Sequence, residues 1–299
     1  FSTSLVNVKV GKFELDLPFS EKRSPTLNTP FVMYHYMSGK PFNRVIANPA
    51  GNPTYANAND FGLGDNQQGM ELFGTRDFDA IDGTLRYSLN AVSSSASNVS
   101  GAGGGRAMQF YGHVTQSFGG YGIVDGQRIG LFGMAGRTPT VGNAAIGTGS
   151  QTGTGEQNKT FTRMGVDFSL TAMGTVNIFG AYMIAHDSKA LFSSQGIADP
   201  QTAKWTGGFV EADYNFSPPW VVYYRYDWIR NTVQGDATFD KRFGDVDSQT
   251  VAARYHLIVS KRTAVALHAE LSNTKSYKTG AFGDNQISNV ALVGADLAF

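Results

Sequence analysis

The chain has no cysteine, little charge and no long apolar run. Absence of Cys excludes disulfides, thiolate metal sites, iron–sulfur clusters and covalent haem attachment within the chain. Neither sign of charge dominates, because 24 Lys and Arg face 24 Asp and Glu. That balance argues against a nucleic-acid partner, whose phosphates demand a basic surface. Charged residues make up 16% of the chain, against about 25% in an average soluble domain. No stretch approaches the roughly 20 apolar residues that a membrane helix needs. Residue 1 is Phe, so an initiating Met and a signal peptide are missing, as processing or an incomplete chain would produce.

What the chain has instead is rhythm. Runs of roughly 10–15 residues alternate apolar with polar side chains, and the connections between them alternate short with long. In 163–170, Met164, Val166, Phe168 and Leu170 share one face, and Arg163, Gly165, Asp167 and Ser169 the other. In 221–228, Val222, Tyr224, Tyr226 and Trp228 oppose Tyr223, Arg225 and Asp227. A period of two puts each set on one side of a sheet. The pattern predicts thirteen strands: 3–10, 31–37, 67–75, 82–95, 106–118, 127–138, 159–172, 174–188, 204–217, 219–232, 246–260, 262–277 and 287–299. A shift of parity around Gly11 predicts a bulge or a second short strand there.

A soluble sandwich also alternates. These strands are longer than the usual mode of about 5–6 residues. Their polar face carries acids and bases at mid-strand. Aromatic residues gather near strand ends (Trp205, Phe216, Trp220, Tyr223, Tyr224, Trp228 and Tyr277), where an interfacial girdle would sit. The expected fold is therefore all-β: one transmembrane antiparallel up-and-down β-barrel over residues 1–299, in a bacterial outer membrane with lipid as its surroundings.

Long connections are extracellular and short ones periplasmic in such barrels. On that count 38–66 lies outside, 17–30 lies inside, and the first strand begins outside. A closed barrel has an even strand number, so an odd number of strands is expected ahead of residue 1, giving about 14–18 in the complete barrel.

Lumen width and charge decide what such a barrel passes. Parity assigns Arg86, Gln109, Tyr111, His113, Arg163, Asp167, Glu211, Asp213, Tyr223, Arg225, Asp227, Arg254, His256, His268 and Glu270 to the polar face. Arg225 and Asp227, with Glu211 and Asp213 on the neighbouring strand, predict a charge ladder across the wall. Segment 38–66, with Lys40 and Arg44, is the candidate constriction loop, the alternative being a solvated extracellular loop. Gly62-Leu63-Gly64 and two similar triplets echo phosphate loops but lack the full spacing and a following helix. The five His residues show no metal-binding spacing. His186-Asp187 stands near a rim where a hydrolase would keep such groups, but no nucleophile accompanies it. No enzyme activity, metal or cofactor is expected.

The final residues Gly294-Ala295-Asp296-Leu297-Ala298-Phe299 resemble the C-terminal signal of Gram-negative outer-membrane proteins. Gly294, Leu297 and Phe299 match it, while Leu292 stands where a polar residue is preferred. Val8-Lys9-Val10-Gly11-Lys12-Phe13, followed by Leu17-Pro18-Phe19, is similar to a segment of phosphate-selective-type porins and of barrels associated with c-type cytochromes. The resemblance implies a porin: passive diffusion of small solutes or ions, often as a homotrimer, with the C-terminal strand read by the barrel-assembly machinery. The alternative is a sheath holding an envelope partner such as a multihaem cytochrome.

Overall fold

The computed structural model describes residues 4–19, 31–36, 67–93, 108–119, 127–141, 156–172, 174–187, 203–217, 219–232, 245–258, 264–277 and 285–298. Twelve strands run through them: β1 (Asn7–Phe13), β2 (Gln67–Phe78), β3 (Gly83–Ser93), β4 (Met108–Ser117), β5 (Arg128–Val141), β6 (Glu156–Ala172), β7 (Val176–Asp187), β8 (Ala203–Ser217), β9 (Trp220–Thr232), β10 (Val246–Ile258), β11 (Ala264–Ser276) and β12 (Gln286–Ala298). They form one antiparallel sheet in sequence order, each strand hydrogen-bonded to the next. This is the up-and-down connectivity of a β-barrel wall. Among the described residues, β1 and β12 each pair along one edge only.

The wall is strongly concave. The Phe19 ring lies 4.9 Å from the ring of Phe179 on β7, 5.6 Å from that of Phe209 on β8, and 4.7 Å from the guanidinium of Arg128 on β5. In a flat sheet β5 and β8 would be roughly 14 Å apart. One ring reaches all three because the strands curl around it.

Residues 31–37 are not a strand. Val32–His35 form a single helical turn, α1, closed by the Tyr34 amide donating to the Phe31 carbonyl. Aromatic density made the segment read as β, but it docks on the sheet face instead of pairing at an edge. Among the described residues ahead of β2, β1 is then the one strand. Gly11 produces no break either: it pairs in register with Gly69 and takes a φ of 138° that a side chain would resist. The irregularity in the wall lies between β8 and β9, where the register shifts between Tyr214 and Ser217.

Burial is inverted relative to a water-soluble sheet. Leu131, Met164 and Leu271 are 62–69% exposed, while Arg163, Asp167, Glu211, Arg225 and Asp227 are at most 1% exposed. Large apolar side chains occupy outward positions, while the inward set mixes buried charged residues with Phe132, Met134, Phe179, Met183 and Phe209. The outward aromatics include a cluster of Tyr214, Phe216, Trp220 and Tyr255 at the short-connection ends of β8–β10. Trp205, expected in that girdle, is instead buried on the inner face, and Tyr223 follows the inward parity also assigned to it.

Candidate functional site

The inner face is built by period-two parity, and all fifteen residues assigned to it from sequence share the inward parity. Eleven are buried; Asp213 and Arg254 are half-buried, His256 is exposed, and the Arg86 side chain is 37% exposed. Lys40 and Arg44 lie outside the described residues, as does Phe299. Gly294 and Leu297 sit in β12, opposite His268 and Val265 of β11.

Residues 14–19 and 31–36 occupy the interior. Phe31 stacks on Phe209 at 4.1 Å, and Tyr36 meets Trp205 edge-on at 4.9 Å. The Val32 amide donates to Asp227 Oδ1 at 3.1 Å. The Phe19 amide donates to the Tyr34 hydroxyl at 3.4 Å, joining the two pieces. Leu15, Leu17 and Phe19 pack against the same apolar cluster. A charged wall thus encloses an aromatic filling supplied by the chain itself.

Two charge clusters flank this filling. On β8 and β9, Glu211 and Arg225 are register partners. Arg225 Nη1 lies 3.6 Å from Glu211 Oε2, its Nε donates to Asp227 Oδ2 at 2.8 Å, and its guanidinium covers Phe31 at 4.7 Å. The predicted ladder exists for these three; Asp213 pairs in register with Tyr223. Beside it, Tyr223 and His268 are 3.2 Å apart, and His268 is 3.3 Å from Glu270.

The second cluster lies on β3–β6 and centres on Asp16. Arg86 Nη2 donates to Asp16 Oδ1 at 2.7 Å. The Tyr111 hydroxyl donates to the Asp16 backbone carbonyl at 2.7 Å, and His113 Nδ1 approaches the same oxygen at 3.0 Å. His113 Nε2 lies 2.9 Å from Asp167 Oδ2. Arg128 Nη2 donates to the Pro18 carbonyl at 2.6 Å and stands 3.7 Å from Asp167. Sequence reasoning named Arg86, Tyr111, His113 and Asp167 but missed Asp16 and Arg128. It also missed Glu71, which is buried on β2 and bonded to Lys9 and Ser88.

Burial alone would raise the pKa of Asp16, but the hydrogen bond from His113 and the charges of Arg86, His113 and Arg128 outweigh it and hold the carboxyl below its usual 3.8. The folded value therefore lies below the unfolded one. Asp16 contributes its stabilisation above the unfolded value and loses it as pH falls through the lower folded value. The thermal midpoint of the wild type should exceed that of Asp16→Asn from neutral pH down through the ordinary carboxylate range. The gap should close only below that range. A gap that closes at higher pH overturns the assignment.

No family model matches the chain, and no curated protein matches it. Among solved structures, it is similar to the FrpB iron transporter from Neisseria meningitidis (F3-3 variant), at 10% identity and a TM-score of 0.45. The match covers 78% of this chain, which spans 42% of that one.

Proposed function

We propose that this chain forms a β-barrel channel in a bacterial outer membrane and passes small hydrophilic solutes or ions by passive diffusion. The observation that carries the reading is the inverted burial: a continuous apolar exterior suits lipid, and a charged inner face suits a polar passage. An exposed apolar surface of this extent has no place in water. The lipid bilayer is thus the first partner, and β12, with Gly294 and Leu297, is the element offered to the barrel-assembly machinery. A homotrimer is the assembly consistent with the porin resemblance. The reading assigns no enzymatic step.

The sheath alternative calls for an interior left free for a partner such as a multihaem cytochrome. The filling by residues 14–19 and 31–36 favours the channel, with a passage narrowed by the chain itself. Purified protein added to a planar lipid bilayer should give stepwise conductance increments. A barrel that inserts, as judged by protease protection in vesicles, yet stays electrically silent overturns the channel reading.

A further inference from the structure

The contacts of Asp16 have the form of a ligand in a receptor. The segment lies outside the sheet and every group that receives it belongs to the wall: Arg86 of β3 holds the carboxylate, which lies 3.6 Å from His113, Tyr111 and His113 of β4 meet the Asp16 backbone carbonyl, and Arg128 of β5 holds the Pro18 carbonyl two residues on. His113 is braced from behind by Asp167 of β6, so its ring is held in place independently of Asp16. The wall groups are two guanidiniums, an imidazole and a phenol hydroxyl, against the single carboxylate of Asp167. Arginine pairs with carboxylate through charge-assisted hydrogen bonds.

We infer that β3–β5 carry a carboxylate-binding site on the inner wall, that Asp16 fills it as an internal ligand, and that a small carboxylate anion entering the barrel competes for it. This rests on the channel reading for how the anion arrives, but binding itself does not depend on conduction.

Accessibility supports competition. Asp16 and Arg86 side chains are 20% and 37% exposed, so water reaches the ion pair, while the His113 side chain beneath is 2% exposed. An ion pair that water reaches exchanges its carboxylate at lower cost than a fully buried one. The other interior piece is of a different kind: Phe31, Val32, Met33, Tyr34 and Tyr36 are at most 1% exposed. Burying large apolar side chains is worth about 1.5–3 kcal/mol each. Displacing the Asp16 carboxylate therefore loosens residues 14–18, which then keep only the carbonyl bonds of Asp16 and Pro18 and the packing of Leu15 and Leu17, while 31–36 stay docked on β8 and β9. The site is autoinhibitory: the chain's own carboxylate narrows the passage until a free one takes its place.

Chemical rescue tests this on the intact protein. Asp16→Ala takes the carboxylate from Arg86 and leaves the backbone carbonyl on Tyr111 and His113, and sodium acetate is the probe, with sodium chloride at equal ionic strength as the control. Acetate should raise the thermal midpoint of Asp16→Ala saturably and recover at least half of what the substitution lost. Chloride should not, and Arg86→Gln in the same background should abolish the effect. Because the chain has no Cys, Leu17→Cys in the otherwise wild-type chain reports undocking by its reaction with a maleimide. Acetate should accelerate that reaction several-fold more than chloride. Equal responses to the two salts, or rescue that survives Arg86→Gln, overturn the inference. Both readouts work on detergent-solubilised protein, so a silent bilayer recording would sink the channel reading without touching this one.

Discussion

Arg225→Met should destabilise the barrel by about 3–5 kcal/mol, the cost of leaving buried carboxylates without their cation. Glu211 and Asp227 flank Arg225, and all three side chains are fully buried. Arg225 also covers Phe31, so its loss loosens the interior filling as well as the wall. Urea titration of the folded, faster-migrating gel species measures the effect. Arg225→Lys should fall between wild type and Arg225→Met, because it keeps the charge but loses the planar fork and the stacking. The triple substitution Glu211→Gln, Arg225→Met, Asp227→Asn should recover much of the loss, since it removes the carboxylates together with their partner. A single Arg225→Met as stable as wild type would show that other groups neutralise the two acids.

The second large effect comes from the opposite face. Leu131→Arg places a charge at a position that is 62% exposed, between Val114 and Val166 in the register. On a water-soluble sheet that change would be near neutral. On a lipid-facing barrel wall, a mid-bilayer Arg costs about 2–4 kcal/mol. Folding titrations into lipid vesicles should show the loss, and moving the Arg to Ile129, nearer the short-connection end, should soften it. Equal, negligible costs at both positions would count against a membrane setting.

The strands were legible because period two is a local signal. β2 through β12 agree with the expected runs to within three residues at each end. Parity carried further than boundaries: it put Glu211 beside Arg225 and sent both inward. The signal failed where side chains pack on the sheet rather than within it. Phe31–Tyr36 has the aromatic content of a strand, and nothing local says that its backbone will dock on β8 and β9. Asp16 was illegible for the same reason. Glu14-Leu15-Asp16-Leu17 alternates like a strand end, while its partners Arg86, Tyr111 and His113 lie 70–97 residues away. Arg128 falls at the first position of its strand, where a basic residue reads as a solvated turn. Trp205 shows the converse limit: an aromatic near a strand end marks an interface only if its parity is outward.

The bond from Val32 to Asp227 spans 195 residues, and this has a consequence for how the barrel is made. The interior pieces precede nearly all of the wall that encloses them, yet their partners sit on β8 and β9. From β2 onward each neighbouring strand pair closes a local hairpin, but the filling closes a loop of most of the chain, and such non-local contacts form late and slowly. Hairpins can zip in sequence without waiting. The filling can seat only once β3–β5 and β8–β9 both exist, so its docking is an assembly checkpoint, reached after the wall has curled.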